Sequence, residues 1–210
     1  MEGHKPRRAR GKGAALILLV GVYMMLWGWL AVAPASRSDW LLEQLLVIAC
    51  LGVLGATYRR VPLSLASYAG IALFLALHAY GANTSYGATP IDPWLQRLFG
   101  GGRLPYDRLV HLCYGLLLAH PVREVLVRLT GVRGLAAYGY TVAVVLATGA
   151  FYELIEMWVT LLVAPELGAL FLGSQGDPWD THHDMELELA GSILAMALLA
   201  LKRRIIPSST

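Results

Sequence analysis

The chain has 210 residues, 57% of them hydrophobic and only 15% charged, with a formal net charge of +3 and a positive mean hydropathy of +0.56. Soluble domains carry about 25% charged residues, so the composition excludes an ordinary soluble domain. Two cysteines without a CxxC motif exclude a disulfide scaffold and a cysteine-type zinc module.

Apolar blocks about 20 residues long, the length of a bilayer crossing, predict an all-α, polytopic membrane protein. Residues 1–13 form a basic tail with Lys5, Arg7, Arg8, Arg10 and Lys12. The tail resembles a signal-peptide n-region, but the run from Ala14 to Ala33 is longer than a usual h-region and reads as a retained span. Six transmembrane helices are predicted, at about 14–33, 40–57, 62–80, 105–127, 135–163 and 184–201. They form one six-helix membrane domain, 14–201, followed by a second basic tail, 202–210. Proline and glycine punctuate the boundaries, among them Pro34, Pro62, Gly131 and Gly134. Cys50 and Cys113 read as small buried residues.

Lysine and arginine placement sets the expected orientation. Both tails, Arg59 and Arg60, and Arg123, Arg128 and Arg133 together hold thirteen of the 17 basic residues. Those ends are expected in the cytoplasm of a bacterial inner membrane, with both termini inside. Of the 14 acids only Glu2 and Glu124 share that side. The remaining titratable groups then gather at one depth near the outer face. Asp107 and His111 open span four, Glu153 and Glu156 lie in the outer half of span five, and Asp184 and Glu188 open span six. His78 lies near the outer end of span three.

Carboxylates at this depth are costly, roughly 2.5–3.5 kcal/mol for an aspartate at a helix centre, and several together point to a site. Asp107 and His111 are spaced i,i+4 and share a helix face, as do Asp184 and Glu188. Gly191, Ser192 and Ala195 make that last face small, so its acids should point at neighbouring helices, with Glu186 opposite. Candidate catalytic residues are Asp107, His111, Glu153, Glu156, Asp180 and Asp184. Asp107, His111, Glu153 and Asp184 are the candidate ligands of a divalent metal ion. Arg108, Gln175, Asp177 and Glu188 are expected to support them; Glu156 and Glu188 either back the ligands or pair with Arg108, and Arg103 or Arg108 is alternatively a structural salt-bridge partner of the loop acids. Trp94 and Trp179 are candidates for the floor of the site. The competing reading makes Asp107, Arg108 and the 177–184 acids ordinary interfacial residues of a polar loop.

The segments Tyr106-Asp107-Arg108-Leu109-Val110-His111, Phe151-Tyr152-Glu153-Leu154-Ile155-Glu156, and Gln175-Gly176-Asp177-Pro178-Trp179-Asp180 with Asp184-Met185 resemble the YjdF-like family. These are uncharacterised multi-pass proteins of the bacterial inner membrane. A more distant resemblance is to VanZ-like proteins, whose Asp-basic-x-x-His pattern matches Asp107, Arg108 and His111. Asp184 and Gly191 match that family's late pattern in spacing, but Glu188 stands where it has asparagine. The resemblance implies a role in the cell envelope without naming a reaction.

Together these readings predict an outward-facing carboxylate–histidine site, with metal-assisted hydrolysis of a lipid or envelope metabolite as the leading function. The alternative is an ion- or proton-coupled transporter or an envelope-lipid binding protein. Membrane lipids are the expected partners of the basic tails. No basic folded domain or aromatic platform suggests nucleic acid.

Overall fold

The computed structural model describes residues 5–84, 86, 89–98, 106–163 and 177–205. Arg103, Gln175 and the outer parts of both basic tails, 1–4 and 206–210, lie outside the described residues. The described residues form seven helices: α1 (Lys5–Leu30), α2 (Arg37–Thr57), α3 (Leu65–Thr84), α4 (Asp92–Leu98), α5 (Tyr106–Thr130), α6 (Gly134–Val163) and α7 (Asp180–Ile205). Each expected span falls on a helix; the short α4 was not expected.

Five helices are long and apolar enough to cross a membrane: α1, α2, α3, α5 and α6. The expected sixth span lies in α7, which does not meet that description. Its first turns carry Asp180, Asp184, Glu186 and Glu188 and its last turn Lys202, Arg203 and Arg204, so only 189–201 is uninterrupted by charge. Large apolar side chains stand exposed along the long helices, including Ile17, Met25 and Trp29 on α1 and Leu162 on α6. Apolar surface on this scale is what lipid covers.

The chain divides into two compact units, Met1–Ser85 and Tyr86–Thr210. In the first, α3 packs against α1 and α2. The turn between α1 and α2 is fixed by side chains that satisfy the last carbonyls of α1. Arg37 donates to the carbonyls of Ala31 (2.8 Å) and Val32 (2.6 Å), and Asn83 Nδ2 donates to that of Leu30 (2.6 Å). Trp27 Nε1 donates to buried Gln44 at 2.7 Å, which gives both polar groups a partner within the unit.

In the second unit α5, α6 and α7 pack on one another, most extensively α5 on α7. Glycines make that contact possible. A Cβ at Gly115 would overlap the Glu188 carbonyl, and one at Gly191 would overlap that of Leu112. Helices approach this closely in membranes where small residues line the seam. The turn from α5 to α6 uses two glycines at positive φ, Gly131 (69°) and Gly134 (62°). Gly131 donates to the Val127 carbonyl at 3.0 Å and closes α5.

Candidate functional site

The site is built at the N-terminal ends of α5 and α7, where the helix dipoles favour acids. Buried Asp92, in the first turn of α4, sets where α5 begins. Its Oδ1 accepts the Tyr106 backbone N–H at 2.6 Å and its Oδ2 that of Thr89 at 2.8 Å. This places Asp107 in the first turn of α5 and His111 one turn on.

His111 is the hub. Its Nδ1 lies 3.0 Å from Glu188 Oε1 of α7. Its Nε2 lies 3.6 Å from Asp107 Oδ1 and 3.6 Å from Glu153 Oε1 of α6. Asp107, His111 and Asp184 each present one ligand atom, all within 4.8 Å of one another. Three helices thus bring four carboxylates to one imidazole. Asp184 and Glu188 are 3% and 1% exposed, and Glu153 is also buried.

The burial of Asp184, Glu188, Gly191 and Ser192 agrees with the small-residue face expected on this helix, and Glu186 on the other side is exposed. Glycine also makes room for Glu188. A Cβ at Gly149 of α6 would fall on the Glu188 carboxylate. Neither Gly149 nor Gly115 was singled out from the sequence. Lone glycines in apolar runs carry no signal of what they face, and Asp92 sits outside every apolar block.

The arrangement is electrostatically demanding. Desolvating a carboxylate costs on the order of several kcal/mol even after relaxation, and here one imidazole faces four. Glu153 Oε1, Asp184 Oδ1 and Glu188 Oε2 are buried without a hydrogen-bond partner among the described residues. Such atoms need an explanation. In the tautomer whose Nδ1–H donates to Glu188 Oε1, the Nε2 lone pair looks toward Asp107 and Glu153, which is repulsive unless a cation or proton stands between. Carboxylate-backed histidines of this kind are how metal-binding imidazoles are oriented. The donor set, carboxylate and imidazole without thiolate, suits a hard or borderline divalent ion.

Arg108 makes the structural salt bridge to the loop acids that the competing reading allowed. Its Nη2 binds Asp177 Oδ2 at 2.5 Å and Asp180 Oδ1 at 3.1 Å, closing the start of α7 onto α5. Of its two expected roles Glu188 takes the one that backs a ligand: it pairs with His111 and not with Arg108, because the helix spacing puts it one turn below Asp184 at the depth of the imidazole. Asp177 is also held by the Trp179 backbone N–H at 2.9 Å. That bond and Arg108 keep its carboxyl below the usual range, and His183 at 3.7 Å adds to the effect. Asp180 joins this rim latch. Glu156, one turn beyond Glu153, is half-buried. Trp94 and Trp179 are 56% and 60% exposed, which is too open for a floor; Trp179 instead packs edge-on against His182 at 5.2 Å.

The described geometry can be set beside known proteins. Residues 15–204 match the family model described as "Predicted membrane protein (DUF2238)". The chain is 38% identical to the inner membrane protein YjdF of Escherichia coli (strain K12) over 170 residues, covering 80% of this chain and 81% of that protein. No solved structure matches. The VanZ-like resemblance rests on the sequence pattern alone. A family match spanning nearly the whole chain, a relative of similar length and five apolar helices agree, and the chain belongs to the YjdF-like DUF2238 family of multi-pass inner-membrane proteins.

Proposed function

We propose that the chain crosses the inner membrane six times, with α7 as the sixth span, both termini in the cytoplasm and the His111 cluster facing outward. The basic residues at one set of helix ends and the acids at the other support this orientation. The acids that keep α7 from reading as a span are buried against α5 and α6 and need not meet lipid. A reporter active only in the periplasm, fused to the C-terminus, is expected to give no signal; strong signal overturns the orientation.

In this frame the cluster binds a divalent cation and serves metal-assisted hydrolysis of a lipid or cell-envelope metabolite. The observation that carries the reading is the imidazole of His111, gripped at Nδ1 by Glu188 while Nε2 faces Asp107 and Glu153, with Glu153 Oε1 and Asp184 Oδ1 buried without a hydrogen-bond partner among the described residues. Asp107, His111, Glu153 and Asp184 hold the ion, and Glu188 fixes the imidazole. A divalent ion lowers the pKa of a coordinated water toward about 7. Arg108 with Asp177 and Asp180 holds the rim.

The test is metal content of the purified protein, wild type against His111→Ala and Asp184→Ala. About one equivalent of a divalent ion in the wild type, lost in both variants, is the expected result. A second reading, a proton-coupled transporter or envelope-lipid binding protein, is favoured by the same partnerless oxygens, which protons can satisfy as well. A metal-free wild type that stays metal-free after reloading selects that reading.

A further inference from the structure

The three helices that meet at His111 also meet at their opposite ends, about 18 Å farther along α5 at the helical rise of about 1.5 Å per residue. There Arg123 of α5 is buried, 8% exposed. Its guanidinium carbon sits 4.8 Å from the centroid of the Tyr138 ring on α6. Its Nε is buried without a hydrogen-bond partner, and no carboxylate pairs with it among the described residues. The charge that acts on it from α7 is repulsive: Arg203, in the last turn between Lys202 and Arg204.

Exposed basic residues at helix C-termini are ordinary, because the dipole favours them. That accounts for Arg128 and for the last turn of α7. It does not account for Arg123, which lies nearly two turns inside the end of α5 and is buried beside a like charge. A desolvated guanidinium is retained where an anion or an aromatic face compensates it. Tyr138 supplies the aromatic face, and the anion is still to be assigned.

We infer that Arg123, backed by the Tyr138 ring, and Arg203 hold a phosphate-class anion, the headgroup phosphate of an anionic phospholipid. A guanidinium presents Nε–H and a terminal N–H as a fork that matches two phosphate oxygens. A lipid source is favoured over free phosphate by the surroundings. Leu129 and Leu135, near the ends of α5 and α6, are 68% and 87% exposed and offer apolar surface to acyl chains. Basic pockets between membrane helices bind lipid headgroups in this way.

The experiment uses the full-length chain in neutral detergent, with lipid adducts counted by native mass spectrometry. Phosphatidylglycerol and phosphatidylcholine are added in one arm and inorganic phosphate in another. The wild type is expected to retain phosphatidylglycerol over phosphatidylcholine. Arg123→Gln and, separately, Arg203→Gln are each expected to weaken that preference about fivefold or more, with Arg133→Gln as an exposed control that changes nothing. Because Arg203 is exposed, its variant keeps the test valid if Arg123→Gln does not fold. Displacement of the lipid by millimolar phosphate, or phosphate retention without lipid preference, assigns the same fork to a soluble phosphate. An unchanged lipid preference in both arginine variants, or a wild type that retains neither ligand, overturns the inference.

Discussion

His78 in the first unit and His111 in the second are both buried, 2% and 8% exposed, and both lie beside a carboxylate. For His78 the neighbour is Glu43 of α2, whose carboxylate is 3.6 Å and whose carbonyl is 3.2 Å from Nε2, and the ring stacks on Phe74. That arrangement ties α3 to α2. His111 instead lies among Asp107, Glu153, Asp184 and Glu188 from three helices. The His78–Glu43 pair is a contact between two helices of one unit. One imidazole among four carboxylates is over-supplied with negative charge unless a cation or protons offset it. A buried histidine in a membrane helix is therefore a weak signal of function; the local excess of acids around it is the strong one.

The largest effect that can break this comparison is metal retention in two histidine variants. His111→Ala is expected to lower divalent-ion affinity beyond the roughly 10–100-fold range of an outer supporting residue, while His78→Ala leaves it unchanged. Equal loss in both, read by elemental analysis after dialysis, would show that the contrast has no functional meaning.

Glu188→Gln comes next. It retains the shape of the side chain but weakens the grip on Nδ1, and a fall in metal affinity of roughly 10–100-fold is expected by competitive titration. Full affinity in this variant would mean that Glu188 does not orient the imidazole.

Gly149→Ala sharpens the same point through packing. The new methyl group displaces the Glu188 carboxylate, and overpacking of this kind costs about 1–3 kcal/mol. Thermal unfolding should fall and metal affinity with it. Gly139→Ala, where nothing lies within 4 Å of the added atom, should change neither.

The smallest effect is at the rim. Asp177 has its carboxyl held low by the Trp179 N–H and by Arg108. A lowered folded-state value contributes stability at pH above the ordinary carboxylate range, and that contribution is lost as pH falls through the lowered value. Hydrogen exchange at the start of α7 should therefore stay slow from neutral pH down past the usual carboxylate range and rise only below it. Asp177→Asn should already exchange faster at neutral pH. Identical profiles for the two proteins would remove the latch from the account.

Much of this molecule was legible in the sequence because bilayer physics is legible there. Apolar runs of crossing length located the long helices, and the i,i+4 pairs Asp107/His111 and Asp184/Glu188 marked two faces of the site before any helix was placed beside another. The small face of Gly191, Ser192 and Ala195 correctly implied that Asp184 and Glu188 are buried. The sequence could not assign partners across helices. It left Glu188 either to back a ligand or to pair with Arg108, and only the structure assigns it to His111 and Arg108 to Asp177 and Asp180. Which acid meets which cation depends on the depth and rotation of α7 against α5, and glycine contacts at Gly115, Gly149 and Gly191 set both. Nor could periodicity reveal that Asp92 accepts the first N–H of α5, or that Arg123 is buried with no acid paired to it among the described residues. By itself the sequence determined the solvent of the fold and the titratable content of one end of its helices, because burial in lipid constrains composition residue by residue. Tertiary structure alone decided which oxygen faces which nitrogen, because that depends on how closely three helices can approach.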